Sequence, residues 1–161
     1  MSSVLTNRGK FALFAYHYTA ETSVSPEDGF AIALITSAGV GTTGSPVAPT
    51  ASNCKLWDDV SDNEIITGNG YSAGGRTLNR DGTYWTITED DANNRAILTL
   101  VDITWTASGG NLPLSGNGAR YAVLMDLTDD KNIIAVFDLD ADRTVSSTQD
   151  LRLTGYKLYI N

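Results

Sequence analysis

Short runs of alternating apolar and polar residues, separated by Gly, Asn and Asp turns, fill the middle of this chain. Successive side chains of a β-strand point to opposite faces of a sheet, so alternation with a period of two is typical of strands. In the clearest run, residues 97–106, the pattern predicts that Val101, Ile103 and Trp105 point inward. The chain is therefore expected to form antiparallel β-structure, which constrains its architecture but not its chemistry.

Six strands are expected after residue 75, each bounded by turn-forming residues. We place them near residues 76–79, 84–88, 95–106, 119–126, 132–138 and 150–160. The turns between them are expected at residues 81–82, 90–94, 108–118, 129–130 and 140–143. Upstream, residues 30–36 are rich in apolar side chains throughout and predict a central strand that runs through the core.

A short helix is expected near the start of the chain. Thr6 or Asn7 could cap it, and Phe11, Phe14 and Tyr18 would then share one face. The same residues can also be read as a strand. We prefer the helix because the stretch that follows the cap has the length of a helix.

The length of 161 residues is sufficient for one domain with its own core. We therefore expect a single domain over residues 1–161, an antiparallel β-sandwich of jelly-roll-like topology with a short N-terminal helix. Residues 1–9 could form an arm. Residues 37–53, rich in Gly, Ser, Thr and Pro, predict a long surface loop. This loop could contact a partner, or it could be extra length that the fold tolerates without a functional role.

Charge and cysteine content argue against several classes of partner. The formal net charge of −8 opposes binding to the phosphates of nucleic acid. Cys54 is the only cysteine, so neither an intrachain disulfide nor a cysteine metal cluster can form. No apolar run approaches the roughly 20 residues that a membrane helix requires. We expect a soluble protein with neither a nucleic-acid nor a membrane partner.

The last predicted strand contains a change of register at Gly155. Leu151 and Leu153 share one face, whereas Tyr156 and Leu158 continue at the opposite parity. A β-bulge at Gly155 would place both apolar sets on the core side, which is a common role of glycine inside a strand.

Residues 70–74 match the G-x-S-x-G pattern, in which a strained strand-to-helix turn exposes a nucleophilic serine, here Ser72. A polar, strand-like stretch follows this motif instead of an amphipathic helix. The only histidine, His17, lies upstream of the serine, against the residue order of that hydrolase fold. We therefore expect no catalytic residues.

Residues 39–44 match G-x-G-x-x-G directly after a predicted strand, a pattern typical of dinucleotide sites. That chemistry requires a helix that begins at the third glycine and holds the pyrophosphate at its N-terminus. Pro49 would remove a backbone donor and clash within the first turns of such a helix. We expect a flexible loop there and no cofactor.

Asp138, Asp140 and Asp142 resemble the first half of a calcium-binding loop. Arg143 and Gln149 occupy the positions where an EF-hand loop has Gly and Glu. A solvated acidic turn is therefore preferred, and no metal site is expected.

Two other acidic groups, Asp58 with Asp59 and residues 89–91, could in principle carry out acid–base chemistry. Nothing in the sequence shows that they converge on one cleft, so we expect them to be solvated turns. Alternation assigns Trp105 to the core. Trp57, which is followed by acids, is the tryptophan expected to contact a ligand or a partner.

Several segments together resemble a group of small virion structural proteins from tailed bacteriophages and related environmental viruses. The resemblance rests on turn and strand sequences and spans most of the chain. The segments are residues 5–10, 68–75, 105–110, 119–124 and 142–146. Each motif is weakly specific alone and moderately specific in combination.

This resemblance implies a non-enzymatic β-sandwich protein on the capsid surface of the virion, assembled in the host cytoplasm. It implies a decoration or cement protein that binds the major capsid protein and forms a homo-oligomer, with a trimer as one expected state. Two alternatives are a tail, connector or fibre component and a carbohydrate- or cell-surface-binding module. The latter would use Trp57, Tyr71 and the glycine-rich turns.

Overall fold

The computed structural model describes residues 6–11, 13, 29–40, 47–80, 82–127 and 131–161. These residues form nine β-strands, three 3-10 turns, and short helical structure at residues 7–11 and 13. The strands are β1 (Phe30–Ile35), β2 (Arg76–Leu78), β3 (Trp85–Asp90), β4 (Arg95–Leu100), β5 (Ile103–Thr106), β6 (Ala119–Asp126), β7 (Ile133–Arg143), β8 (Asp150–Leu153) and β9 (Lys157–Ile160). The 3-10 turns are Trp57–Asp59, Ser61–Asn63 and Asp91–Asn93.

The strands form a four-stranded sheet, β2-β1-β6-β7, a three-stranded sheet, β3-β4-β9, and a two-stranded sheet, β5-β8. Strand pairing is antiparallel throughout the two larger sheets. The predicted fold class, mainly β with antiparallel sheets and a short N-terminal helix, is therefore confirmed. The jelly-roll topology stays a prediction.

The chain divides into two compact units, each assembled from separate segments. The small unit contains the described residues of 1–25, 79–103 and 153–161, and the large unit contains those of 26–78 and 104–152. The three-stranded sheet belongs to the small unit and the four-stranded sheet to the large unit. The prediction of one domain over residues 1–161 stays a prediction.

The core of the large unit is built around β1, in which all six residues are buried. Phe30, Ile32 and Leu34 lie on one face of the strand, and Ala31, Ala33 and Ile35 lie on the other. The second face packs in a cluster with residues of β6 and of the Trp57–Asp59 turn. Because both faces are covered, β1 is the central strand that the apolar run predicted.

The small unit contains the hairpin of β3 and β4 together with β9. Ala96, Leu98 and Leu100 are the buried residues of β4, and Trp85 pairs with Leu100 in the register. The Arg95 guanidinium lies over the Tyr159 ring, 4.4 Å from the ring centroid. Alternation along β4 therefore buries one face of this sheet.

The helix at the start of the chain is capped by Thr6, whose Oγ1 accepts a hydrogen bond from the Gly9 N–H at 3.1 Å. Arg8 pairs with Glu89 at 2.9 Å, and Lys10 donates to the Asn94 carbonyl oxygen. The described part of the predicted arm is thus helical and bonded within the small unit. Phe14, His17 and Tyr18 lie outside the described residues, as do residues 1–5.

The predicted strand over residues 95–106 is wrong, because it consists of two strands, β4 and β5. Val101 and Asp102 lie between them and are both exposed, with Val101 at 45%. Buried positions shift from even numbers in β4 to odd numbers in β5. Ile103 and Trp105 are buried as predicted, but Val101 points outward because the register changes beside it.

The predicted bulge at Gly155 is also wrong, because residues 150–160 do not form one strand. Leu151 and Leu153 lie in β8, which pairs with β5, whereas Leu158 lies in β9, which pairs with β4. Gly155 connects the two strands with a φ of 72°, and a Cβ at this position would have open space. The glycine therefore serves the φ angle of a turn.

The turn expected at residues 140–143 belongs to β7, which continues to Arg143. The predicted bounds of the strand at 119–126 are matched by β6.

Residues 41–46 of the predicted loop 37–53 lie outside the described residues. At its base, Val40 N–H donates to the Val47 carbonyl oxygen at 3.0 Å, and Val47 N–H donates to the Ala38 carbonyl oxygen at 3.0 Å. In the part of the chain that the structure describes, no helix is long and apolar enough to cross a membrane.

Candidate functional site

Two glycine-rich loops of the large unit form the candidate binding surface. The first glycine loop covers residues 66–75, which precede β2, and the second glycine loop covers residues 107–118, between β5 and β6. We call their exposed surface the glycine-loop face. Both loops carry segments on which the resemblance to virion proteins rests.

The two loops are bonded to each other through Asn69 and Gly70. Ser108 N–H donates to the Asn69 carbonyl oxygen at 3.0 Å, and Asn69 Nδ2 donates to the Asn111 carbonyl oxygen at 2.7 Å. Gly70 has a φ of 100°, and a Cβ at this position would overlap the carbonyl oxygen of Thr106. The close approach requires glycine, which gives this part of the motif a physical reason.

The first glycine loop is also held against the central strand. A Cβ at Gly75 would overlap the carbonyl oxygen of Ile32 in β1. The chain then enters β2, which pairs with β1 from Arg76 onward. The loop is therefore packed against backbone both at Gly70 and at Gly75.

Tyr71 and Glu64 form a polar network beneath the first glycine loop. Tyr71 is 2% exposed, and its hydroxyl accepts a hydrogen bond from Leu34 N–H at 2.9 Å and donates to Glu64 Oε1 at 2.7 Å. The same carboxylate oxygen accepts from Gly74 N–H at 2.7 Å. Burial raises the pKa of Glu64, and burial together with the hydrogen bond to Glu64 raises the pKa of Tyr71. These groups hold the loop on the sheet.

Ser72, the serine of the G-x-S-x-G motif, lines a shallow depression of about 270 Å³. Arg76 and Trp105 also line it, and Arg76 Nη1 donates to the Thr104 carbonyl oxygen at 3.2 Å. The expectation that no helix follows the motif is confirmed, because β2 begins at Arg76. His17 lies outside the described residues, so its distance to the serine is not part of this geometry.

Each of the two loops exposes one large apolar side chain. Ile66 and Leu114 each have 48% of their surface exposed. A Cβ at Gly68 would lie 3.0 Å from Leu114 Cδ2, and a Cβ at Gly116 would lie 3.8 Å from Ile66 Cδ1. Each apolar side chain thus lies beside the backbone of the opposite loop.

No charged residue occurs in residues 65–75 or 103–119, although 19% of the chain is charged. The sequence interpretation treated these segments as turns and missed Ile66 and Leu114. The absence of charge over both segments was the available signal, because charged residues are depleted at the centre of protein interfaces.

Arg120 organises a second irregular region, which we call the Arg120 bulge (residues 138–143). Between the pairs Ala119–Arg143 and Tyr121–Asp138, β7 has four residues where β6 has one. Arg120 Nε contacts Asp138 Oδ1 at 2.9 Å, and its Nη1 donates to the Asp140 carbonyl oxygen at 2.7 Å. The Arg120 guanidinium therefore bonds to the bulge through the Asp138 carboxylate and the Asp140 carbonyl oxygen.

The acids that resembled a calcium loop lie in this bulge. Burial opposes the charged form of Asp138, but hydrogen bonds from Arg120 and from Asp140 N–H outweigh it and lower the pKa of Asp138. The Asp142 carboxylate accepts from Ser37 Oγ at 3.4 Å. Within the described ranges, no group of three or more His, Cys, Asp or Glu side chains could hold a metal ion.

A groove of about 520 Å³ runs along the start of β7. Residues 49–51 and 54–55 line one side, and residues 132–136 line the other. Ile133 N–H donates to the Lys55 carbonyl oxygen at 2.7 Å, which joins the two sides. Two exposed apolar residues, Val47 at 44% and Leu56 at 38%, flank the residues of the first side in the sequence.

Cys54 is the only thiol beside this groove and is 7% exposed. Burial, together with the charge of Asp59, raises the pKa of the Cys54 thiol to about 11. A thiol that stays protonated at neutral pH is a poor nucleophile. Cys54 therefore serves packing, as a member of the core cluster.

The prediction that Trp57 contacts a ligand is wrong, because Trp57 is 7% exposed and packs in the core cluster of the large unit. The 3-10 turn directs its ring inward while the adjacent acids remain at the surface. Asp59 Oδ2 accepts hydrogen bonds from Lys55 N–H at 2.8 Å and Leu56 N–H at 2.9 Å. These two bonds lower the pKa of Asp59, which acts as a structural acceptor.

The acidic residues 89–91 bond to other residues of the small unit and do not form an acid–base pair with one another. Asp90 accepts hydrogen bonds from the Asn93 side chain and from Arg95, which lower its pKa. Asp91 accepts from Asn7 Nδ2 at 2.8 Å.

Of residues 39–44, which match G-x-G-x-x-G, the structure describes Gly39 and Val40. Gly39 forms a parallel bridge with Val47, and the segment from Pro49 continues without a helix as far as the 3-10 turn at Trp57.

No family model, no curated protein and no solved structure matches this chain.

Proposed function

We propose that this chain is a non-enzymatic structural protein of a tailed-phage virion, and that it decorates the capsid by binding the major capsid protein. The observation that carries the proposal is the convergence of four resembling segments in the large unit. Residues 68–75 bond to residues 105–111, as described above. Residues 142–146 pair with the second glycine loop through the Leu112–Val145 bridge and with β6 through Ala119–Arg143.

This convergence supports a binding role because the segments are joined by backbone contacts into one surface. Residues far apart in the chain contribute to it, and close backbone packing at Gly70 and Gly75 fixes their conformation. A surface that is ordered before binding loses less conformational entropy when a partner binds.

The roles of the polar side chains in the large unit also support binding over catalysis. Tyr71, Glu64 and Asp59 bond to backbone groups, and Asp138 bonds to Arg120 and to the Asp140 N–H. Each of these groups has a structural partner that it would have to leave in order to act on a substrate.

We assign the capsid contact to the segment around Val47 and to the adjoining groove along β7. Val47 lies in the predicted contact loop 37–53, and its side chain is 44% exposed. The groove offers apolar side chains and strand backbone, with Lys55 at its edge. An extended segment of a capsid subunit would find both apolar contacts and backbone partners there.

Co-sedimentation with empty heads of the phage that encodes the chain tests this assignment. Wild-type protein is expected to bind at a stoichiometry comparable to that of the capsid subunits, and Val47→Asp is expected to weaken binding about tenfold. Val101→Asp is the matched control, since Val101 is 45% exposed and lies outside this segment. Wild-type protein that does not bind heads would overturn the proposal.

Two other outcomes would identify the alternatives. A few copies per particle by quantitative mass spectrometry would indicate a tail, connector or fibre component. Binding on a glycan array would indicate a carbohydrate module. The residues first assigned to such a module are buried, since Trp57 is 7% exposed and Tyr71 is 2% exposed.

A further inference from the structure

The glycine-loop face presents its two exposed apolar side chains on preordered backbone. Ile66 and Leu114 are each 48% exposed, and each lies beside the opposite loop. Exposed apolar side chains on ordered backbone offer apolar area whose burial against a partner is favourable.

The distribution of charge indicates which partner fits this face. The chain carries a formal net charge of −8, yet residues 65–75 and 103–119 contain no charged side chain. Two copies of an acidic protein repel each other wherever their charged surfaces meet. The side chains of these two segments add nothing to this repulsion, whereas a basic partner would gain more from the acidic surfaces elsewhere on the chain.

The hydrogen-bonding groups of the face are complementary to themselves. Thr67, Ser115 and Asn117 are exposed, and each side chain contains both a donor and an acceptor. A hydroxyl or an amide can pair with the same group of a second molecule, which a carboxylate or an ammonium group cannot do. Where the same patch of two identical subunits meets, groups that both donate and accept can pair across the symmetry axis.

We propose that the glycine-loop face is a self-association surface, at which Ile66 and Leu114 of one copy pack against the same loops of a second copy of this chain. The inference rests on the proposed function of the chain as a binding protein, and it names the partner of this face. It separates self-association from the capsid contact, which lies around Val47. Each copy in the oligomer would then present its own capsid contact, and the particle would bind the oligomer through avidity.

Sedimentation velocity without any capsid tests the inference. Wild-type protein is expected to be oligomeric at about 100 µM, and Leu114→Asp and Ile66→Asp are each expected to weaken association at least about tenfold. Val101→Asp and Val47→Asp should leave association unchanged, since both side chains lie outside the glycine loops. Circular dichroism checks that every variant is folded.

Cross-linking gives an independent measurement. Ser115→Cys introduces an exposed thiol on the face, while Cys54 is 7% exposed. A disulfide requires Cβ atoms about 3.8 Å apart, so oxidation is expected to link copies only where their faces meet. Asp102→Cys, an exposed position between β4 and β5, is the control and should cross-link poorly.

The outcomes distinguish this inference from the proposed function. A wild-type monomer that still binds heads would overturn self-association and leave the capsid role intact. An oligomer that Leu114→Asp and Ile66→Asp do not weaken, or that Val101→Asp weakens equally, would overturn the assignment of the face. An oligomer that fails to bind heads would overturn the capsid role alone.

Discussion

The glycine loops and the Arg120 bulge are two irregular regions of the large unit that are stabilised in opposite ways. In the glycine loops, backbone packs directly on backbone, and the Glu64 carboxylate is half-buried beneath the first loop. In the Arg120 bulge, a guanidinium group fills the space inside an expanded strand and neutralises Asp138. The conformation of the glycine loops therefore depends on close packing, and that of the Arg120 bulge depends on an ion pair.

This difference has consequences for function. A loop that is fixed by packing can present a neutral surface, because it requires no ion pair to hold it. A bulge that is fixed by an exposed ion pair remains sensitive to salt and pH. The glycine loops are therefore better suited to a permanent contact between subunits.

The largest expected effect is the loss of close packing at Gly70. Gly70→Val should lower the free energy of unfolding by about 3 kcal/mol or more, because the new side chain would overlap the Thr106 carbonyl group. Gly74→Val is the matched control, since Gly74 has a φ of 80° but open space around its Cβ position. Urea unfolding measures both, and equal losses would contradict the packing argument.

Removal of the Tyr71 hydroxyl should have the next largest effect. Tyr71→Phe leaves the Leu34 N–H without its acceptor and removes one of the two donors to Glu64, since Gly74 N–H remains, and this should cost about 1–3 kcal/mol. Tyr159→Phe, at a site 46% exposed, should change stability by less than about 0.5 kcal/mol. A loss for Tyr71→Phe as small as that of Tyr159→Phe would show that the network does not hold the loop.

Loss of the Arg120 guanidinium should destabilise the protein less than Tyr71→Phe does, because the ion pair is exposed to solvent. The loss caused by Arg120→Ala should shrink further at roughly 1 M salt, which screens charges beyond about 3 Å. Tyr71→Phe should show little salt dependence. Unfolding at low and high salt compares the two variants, and a salt-independent loss for Arg120→Ala would remove the distinction between the two regions.

The smallest expected effects are two pH dependences of opposite sign. The pKa of Asp138 is lowered, so its stabilisation is present above the ordinary value of about 3.9 and is lost as pH falls through the native pKa. The pKa of Glu64 is raised, so its stabilisation is present below about 4.3 and is lost as pH rises through the native pKa.

Unfolding of the wild type, Asp138→Asn and Glu64→Gln between pH 3 and pH 7 measures these contributions. The advantage of the wild type over Asp138→Asn should grow as pH rises, and its advantage over Glu64→Gln should decline. Curves that change in the same direction would mean that one of the two environments is misassigned.

The sequence predicted local structure where one interpretation fits the pattern. The bounds of β6 and the buried position of β1 follow from apolar runs between clear turns. Val101 was misplaced because an apolar residue beside a register change fits either face. In the structure its N–H donates to the Tyr84 carbonyl oxygen, which continues the pairing of β3 with β4 beyond Trp85 and Leu100. Gly155 was misread because a bulge and a turn between sheets require the same residue.

The candidate site was harder to predict because its contacts are not local. The glycine segments were recognised as turns, but nothing in either segment indicates that Asn69 bonds to Asn111, 42 residues later. Trp57 was expected at the surface because of its acidic neighbours. A single 3-10 turn is too short to produce a periodic pattern that would identify its buried side.

The order of segments in the two units bears on how the chain folds during synthesis. The small unit takes residues from the beginning, the middle and the end of the chain, and its last strand, β9, pairs with β4 through Ile160 and Ala96. The ribosome must therefore release residue 160 before this sheet can be completed. Until then, the edge of β4 that pairs with β9 lacks its partner strand. A nascent or truncated chain would expose the apolar residues of β4 and be prone to aggregation until β9 arrives.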